Sequence, residues 1–373
     1  MLLESNNNLE KLRNLIKNEV VMSLSAVLAL VSSFITLPKI EYIDFQVLVL
    51  LFNLMIVVAA FKELKVLDFI SITLLSKCKS YRSISFTLIL ITFFASMIVT
   101  NDVALITFVP LALIICKKAN ISSLKIIIFQ TLAANLGSAF TPMGNPQNLY
   151  IYSYFNITPK EFFNITAPLV VLSLFFLVVI NIKSNKNKLT FDLHKVEISN
   201  KKSVIYFSLL FFIILLSVFH LIDYKITFLL TIFVVFILNK ELFKKVDYSL
   251  LLTFIFFFIF IGNISSLDSV QNFMVKLLNS KGGTFFSSII LSQVISNVPA
   301  TMLLSSFTNF YKELLVGVNI GGMGTLIASM ASVISYKLYV KENRNLSREY
   351  LKIFTIYNFI GIAIITPIIF CIL

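Results

Sequence analysis

Apolar residues in this chain run in blocks long enough to cross a bilayer, which takes ~20 mostly apolar residues per helix. Such blocks lie near 20–37, 44–61, 124–156, 165–182, 204–219, 224–239, 249–264, 315–337 and 351–371. Two more, 84–117 and 284–310, are interrupted by polar tips, Thr100-Asn101-Asp102 and Ser296-Asn297-Val298-Pro299. Amphipathic segments at 64–79 and 266–280 precede them. The pattern predicts an all-α membrane protein of about nine transmembrane helices plus two re-entrant hairpins, each entering and leaving on one side. Residues 1–19 are polar, and Lys11, Arg13 and Lys17 look like the start of a signal peptide. The apolar stretch behind them is long for one and ends in no clean small-residue cleavage site, so a retained first helix is expected.

Charge tests this layout. With both interrupted blocks folded as hairpins, 25 of the 31 Lys and Arg residues fall on one side and 6 on the other. Cytoplasmic loops carry such an excess. A multi-pass cell (inner) membrane protein is therefore expected, with its N-terminus cytoplasmic and its C-terminus outside. The first tip enters from the cytoplasm and the second from outside; as full crossings, both would break the alternation of charge. The same placement removes the net charge of +13 as a sign of nucleic-acid binding, because the basic residues sit in short loops. The expected surroundings are the lipid bilayer and a small substrate, not nucleic acid. Composition agrees: 58% of residues are hydrophobic and 13% charged, where a soluble domain has roughly 25% charged. Cys78, Cys116 and Cys371 are far apart, and His194 and His220 sit in a basic loop and at a helix end. Neither a disulfide framework nor a metal cluster is implied.

The chain also repeats itself. Ile43-Asp44-Phe45 and Leu74-Leu75-Ser76-Lys77 recur as Val246-Asp247-Tyr248 and Leu277-Leu278-Asn279-Ser280-Lys281. Thr100-Asn101 recurs as Ser296-Asn297, and Asn135-Leu136-Gly137 with Thr141 recurs as Asn319-Ile320-Gly321 with Thr325. Order carries the signal where each match alone is weak. Four crossings and a hairpin make an even number, so the helix near 204–219 turns the second copy upside down. The expected organisation is a cytoplasmic segment 1–19 and a first repeat 20–182, with hairpin 84–117 and broken helix 124–156. A basic loop and connecting helix 183–223 follow, then an inverted repeat 224–373 with hairpin 284–310 and broken helix 315–337. Secondary transporters use this plan, with the site near the midplane.

Irregular backbone survives at membrane depth only where it lines a cavity or binds something. Glycines and prolines mark two such places: 135–148, with Gly137, Pro142, Gly144, Asn145, Pro146, Gln147 and Asn148, and 317–325, with Gly317, Gly321, Gly322 and Gly324. Glycine offers backbone freedom and proline removes donors; the competing explanation is close helix packing by small residues. At each tip a helix restarts, offering amides and a positive dipole end to an anion, with Pro299 suited to a first turn. Substrate-binding residues are expected at Asn101, Thr141, Pro142, Gly144, Asn145, Asn297 and Thr325. Cation coupling is expected at Thr100, Asn101, Asp102, Asn135, Gly137, Ser296, Asn297, Asn319 and Gly321, where carbonyl and amide oxygens suit Na+. Simple capping of the restarted helices by Asn101, Asp102, Ser296 and Asn297 is the alternative. Asp102 is the only carboxylate this topology buries in the membrane, which marks it as a cation ligand or proton carrier. Val298 stands at its place in the second tip.

The two tips, with Val103-Ala104 and Pro299-Ala300, and the break Thr141-Pro142-Met143-Gly144-Asn145-Pro146-Gln147-Asn148 resemble the citrate-transporter-like permeases. These belong to the ion-transporter superfamily with divalent-anion/sodium symporters and arsenite permeases, and the resemblance covers about residues 20–371. It implies Na+ and substrate binding at Thr100, Asn101, Ser296 and Asn297, an elevator motion, and commonly a homodimer. In the dicarboxylate branch each tip reads Ser-Asn-Thr; Asp102 and Val298 replace the last Thr, and the Asn-Asp pair is closer to arsenite permeases. The chain is short for the group, and one N-terminal helix fewer than the group's is expected. The expected function is a secondary active transporter of a small anion, a carboxylate or inorganic oxyanion, coupled to Na+ or H+ and without other cofactors. An arsenite efflux permease and a Na+/H+ antiporter are the near alternatives. An intramembrane enzyme lacks paired carboxylates, His and Cys at depth, and a channel needs no two opposed gates. No GxxxxGK[ST] loop is present for direct use of ATP.

Overall fold

The computed structural model describes residues 19–182 and 195–373. The expectations for the polar segment with Lys11, Arg13 and Lys17, for most of the basic loop and for His194 fall outside the described residues. Within them the chain is all-helical, without strands.

Six stretches are long and apolar enough to cross a membrane: Phe45–Glu63, Tyr81–Val99, Pro159–Ile182, Lys201–Val218, Tyr248–Ser265 and Arg344–Ile372. Val20–Ser33 and Tyr224–Leu238 are apolar but shorter. In order, the first half holds α1 (Val20–Ser33), α2 (Phe45–Glu63), α3 (Val66–Leu75), α4 (Tyr81–Val99), α5 (Asn101–Lys118), α6 (Leu124–Gly137), α7 (Pro146–Tyr154) and α8 (Pro159–Ile182). The second holds α9 (Lys201–Val218), α10 (Tyr224–Leu238), α11 (Tyr248–Ser265), α12 (Asp268–Leu277), α13 (Lys281–Ile295), α14 (Asn297–Ser305), α15 (Tyr311–Gly321), α16 (Met330–Glu342) and α17 (Ser347–Ile372). The expected block 124–156 is therefore two helices, α6 and α7, joined by 3₁₀ turns at Ser138–Phe140 and Pro142–Gly144. The block 315–337 splits into α15 and α16 around a turn at Leu326–Ala328.

Caps explain where the helices begin. A free first-turn amide is satisfied by an Asp, Ser or Asn side chain, worth about 1 kcal/mol. Asp44 accepts from the Val47 amide at 3.0 Å, and Asp247 accepts from that of Leu250 at 3.0 Å. Ser80 accepts from Ser83 at 3.2 Å, and Ser280 from Gly283 at 3.0 Å. The recurring sequence stretches thus open recurring helices with one local chemistry.

Two apolar clusters organise the packing. One joins α4–α6, α8, α16 and α17 through Phe93, Leu132, Leu169 and Tyr350; the other joins α2, α7, α9 and α11 through Ile56, Leu149, Ile214 and Phe254. α4 lies along α6 and α13 along α15, while α5 packs on α16 and α14 on α7. Each restarted helix therefore rests on a piece of the broken helix from the opposite half. Outward-facing Phe212, Leu229 and Phe233 are 59%, 67% and 62% exposed. In water such a surface would be an association hazard; it suits acyl chains instead.

Candidate functional site

The tips bend in one unusual way. Thr100, between α4 and α5, has φ 71° and ψ 153°, and Ser296, between α13 and α14, has φ 75° and ψ 154°. This region is nearly reserved for glycine and costs a side chain about 1–3 kcal/mol, a cost found where surrounding structure or function requires it. Neither residue caps the helix it precedes, so capping does not explain them. Ser296 Oγ instead donates to the Ala328 carbonyl at 3.3 Å. Asn101 Oδ1 accepts from the Asp102 amide at 3.0 Å.

The breaks are held by the tips. Thr141 Oγ1 donates to the carbonyl of Met97, three residues before Thr100. Thr325 Oγ1 donates at 3.0 Å to the carbonyl of Gln293, three residues before Ser296. Gln293 further ties the second break, donating to the Gly321 and Met323 carbonyls at 2.8 and 3.0 Å and accepting from the Thr325 amide at 2.8 Å.

The breaks also hold each other. Asn135, at the end of α6, accepts from Ser329 Oγ at 3.0 Å and donates to Ser332 Oγ at 3.1 Å and to the Gly322 carbonyl at 3.2 Å. Asn319, at the end of α15, accepts from Asn145 Nδ2 at 3.1 Å and donates to Asn148 Oδ1 at 2.7 Å. Counted from Asn135 and Asn319, the pairs Asn145 and Ser329, and Asn148 and Ser332, occupy equal positions. The two halves thus exchange one set of bonds reciprocally. Asn148 Nδ2 also donates to the carbonyls of Ser138, Ala139 and Thr141 at 3.1–3.2 Å, satisfying backbone that the broken helix leaves open. Asn101 Nδ2 joins through Asn135 Oδ1 at 3.3 Å. Asn297, 3% exposed, has a carboxamide without a hydrogen-bond partner among the described residues.

Glycine acts here chiefly through size, a correction to the expectation of unwinding. A Cβ on Gly137 would lie 2.3 Å from the Phe93 carbonyl oxygen, and one on Gly321 2.7 Å from Ser292 Cβ. One on Gly144 would lie 2.1 Å from the Ser138 carbonyl oxygen, and one on Gly317 2.7 Å from Ser288 Cβ. Only Gly324, at φ 103°, needs glycine's conformation. Pro142 and Pro146 open the 3₁₀ turn and α7, where no amide donor is required.

A cavity of about 510 Å³ reaches this region from one side. Of the expected site residues, Thr100, Asp102 and Asn145 line it, with Pro146 beside them; the others are not among its lining residues. Asp102 is half-buried, and its carboxylate has neither a hydrogen bond nor an ion pair among the described residues. Glu313, equally part of a first turn, contrasts with it: 3% exposed, it faces Lys281 at 3.6 Å. The far wall is a helical stripe of α2, Leu51, Leu54, Met55 and Val58, ending at the exposed Lys62 and Glu63, with Lys245 and Asp247 beside them. Sequence reading missed this wall, Gln293, Ser329 and Ser332. The repeat contained the signal for the serines, since carrying Asn145 and Asn148 across it lands on them. No group of three or more His, Cys, Asp or Glu side chains that would hold a metal occurs among the described residues.

Comparison with known proteins agrees with this architecture. The chain is 35% identical over 321 residues to an uncharacterized transporter of Methanocaldococcus jannaschii, covering 85% of this chain and 87% of that one. It is 28% identical over 299 residues to inner membrane protein YbiR of Escherichia coli, covering 79% and 80%. Over 124 residues, 33% of this chain and 22% of the other, it is 29% identical to a Dictyostelium discoideum protein carrying the transporter name arsB. The family described as Citrate transporter matches residues 9–309. With its paired tips and breaks, this chain belongs to the citrate transporter family and is a membrane transporter, not an enzyme.

Proposed function

We propose that the chain is a secondary active transporter moving a small anion across the cell membrane, coupled to Na+ or H+, by elevator-type alternating access. The observation that carries this reading is the reciprocal bonding of tips and breaks, joined to a cavity that opens toward one tip only. In the proposed arrangement nine crossings and two re-entrant hairpins form an inverted repeat, 20–182 and 224–373, joined by 183–223. Lys77 and Arg82 flank the start of the first hairpin and Lys117 and Lys118 its end, which supports entry and exit on the cytoplasmic side. Lys62 and Lys245 line the cavity, which supports an opening on that same basic side and an inward-facing conformation.

The unpartnered Asn297 carboxamide and the restarted helices α5 and α14 supply donors for an anion. Thr100, Asn101, Asn135, Gly137, Ser296, Asn319 and Gly321 supply oxygens for Na+, and the unpaired Asp102 supplies a cation ligand or proton carrier. The apolar surface of α9 and α10 leaves room for a homodimer within the bilayer. Purified protein in proteoliposomes, offered di- and tricarboxylates, sulfate and arsenite under separate Na+ and proton gradients, tests the reading. Gradient-driven flux of an anion is expected, and Asp102→Asn alters its pH or Na+ dependence. Na+/H+ exchange with no anion flux would favour an antiporter, the second reading that the free Asp102 carboxylate supports.

A further inference from the structure

The chemistry of the cavity narrows the substrate, given the transporter reading above. Its walls are Leu51, Leu54, Met55 and Val58 of α2 facing Val103 and Ile106 of α5. The cationic side chains that touch it, Lys62 and Lys245, are exposed and sit at the mouth, at the end of α2 and just before α11. Each has a carboxylate beside it, Glu63 or Asp247. Among the described charged residues that line it, Asp102 alone is half-buried; Lys62, Glu63, Lys245 and Asp247 are exposed. A cavity of about 510 Å³ lined by apolar groups with a few convergent polar ones is the usual form of a small-molecule site. It is a poor place for a polyanion.

The opposite route has the same character. Counting from the capping residues Asp44 and Asp247, the places of Leu51, Leu54, Met55 and Val58 are taken in α11 by Phe254, Phe257, Phe258 and Ile261. Counting from the tips, Ile106 corresponds to Met302 and Asp102 to Val298. On that side the space is filled: Phe254, Phe257 and Met302 are buried, and Tyr150 packs on Phe258 with ring centres 5.8 Å apart. The residues that take the places of the cavity wall there are aromatic and aliphatic, without a cation among them.

Charge balance adds a stoichiometry. Two like charges a few ångströms apart inside a protein repel strongly, so an anion binds beside Asp102 only when that carboxyl holds a proton. A site with ionised Asp102 carries one negative charge. With one proton and one monoanion it still carries one, so loaded and empty carriers cross equally; a dianion would add a charge that nothing at depth offsets. We propose that the substrate is a monoanion with an apolar body, a single carboxylate or sulfonate on an aliphatic or aromatic frame. One proton travels with it on Asp102, and its apolar part lies against the α2 stripe. The proton enters and leaves with the anion, so the step is electroneutral.

The test uses full-length protein in proteoliposomes with labelled 4-toluenesulfonate, a permanent monoanion that cannot cross lipid as a neutral acid. Saturable uptake is expected under an inward proton gradient, unchanged by membrane potential of either sign and competed by hexanesulfonate but not by citrate or sulfate. In Asp102→Asn the proton gradient no longer drives uptake. Met55→Phe, which keeps the wall apolar but narrows it, raises the KM for 4-toluenesulfonate roughly tenfold relative to that for methanesulfonate, as for added bulk in a fitted pocket. Flux of citrate or sulfate with toluenesulfonate excluded overturns this inference and leaves the transporter reading standing. Potential-driven uptake, or an Asp102→Asn variant still driven by protons, overturns the proton assignment. No flux of any anion under either gradient overturns both readings.

Discussion

Replacing Gly137 by Ala probes the contact on which the first tip rests. The added methyl would sit 2.3 Å from the Phe93 carbonyl oxygen and 2.7 Å from Ser96 Oγ, so α4 and α6 must separate by most of an ångström. Phe93 contributes backbone there, which cannot swing aside as a flexible side chain would. Forced overpacking of this kind costs about 1–3 kcal/mol, and roughly 2–4 °C of Tm per kcal/mol applies to large domains. A fall of about 2–12 °C is therefore expected. The chain has no tryptophan, but it has natural reporters in the buried thiols of Cys78 and Cys116. A dye that fluoresces on reacting with thiols reads unfolding in detergent, in a Cys371→Ser background that removes the exposed one. Gly321→Ala, which meets Ser292 Cβ at 2.7 Å, should behave alike, whereas Gly282→Ala, 3.5 Å from its nearest neighbour, should not lower Tm. An unchanged Tm for Gly137→Ala would refute the close α4–α6 approach and with it the placement of Thr141 on Met97.

Asn319→Ala leaves the Asn145 and Asn148 side chains short of partners and should cost about 1–3 kcal/mol. Its effect should be strongly non-additive with Asn148→Ala and additive within about 0.5 kcal/mol with Asn135→Ala, to which it is not bonded. Asp44→Ala and Asp247→Ala should each cost about 1 kcal/mol through the lost cap, read by the same dye. His220, in the turn between α9 and α10, stacks on Tyr152 at 5.0 Å and accepts from Gln46 Nε2 at 3.2 Å, which requires the neutral ring. Burial lowers its pKa from 6.5, so folding favours the neutral form and this stability is lost as pH falls below about that value. The Tm drop from pH 7.5 to pH 5 should be smaller in His220→Gln than in the parent chain; an equal drop would remove His220 from the account.

Helix positions were legible in the sequence because a membrane demands uninterrupted apolar length, and the interruptions at Thr100 and Ser296 were legible because polar residues stand inside long apolar blocks. The ends came within a few residues: 84–117 is Tyr81–Val99 plus Asn101–Lys118. The breaks were legible in place but not in cause. Gly137 and Gly321 look like helix breakers, yet they end regular helices and allow α6 and α15 to lie against α4 and α13, a relation between distant segments that composition cannot express. The cavity wall was hidden for a related reason. Leu51, Leu54, Met55 and Val58 are ordinary residues of an apolar helix, and only the fold distinguishes the stripe that faces Asp102 from the one that faces lipid. Gln293 was overlooked because nothing in its neighbours announces that one side chain closes three backbone groups of the second break.

The reciprocal bonds of Asn135 and Asn319 have a consequence for descent. Because each carboxamide is completed by residues of the opposite half, neither half can drift alone at these places. A relative that replaces Asn135 must change Ser329 or Ser332 with it, and one that replaces Asn319 must change Asn145 or Asn148. Paired variation across 171–197 positions of chain, in four pairs made by these six residues and not at their neighbours, is the trace this core should leave among related sequences.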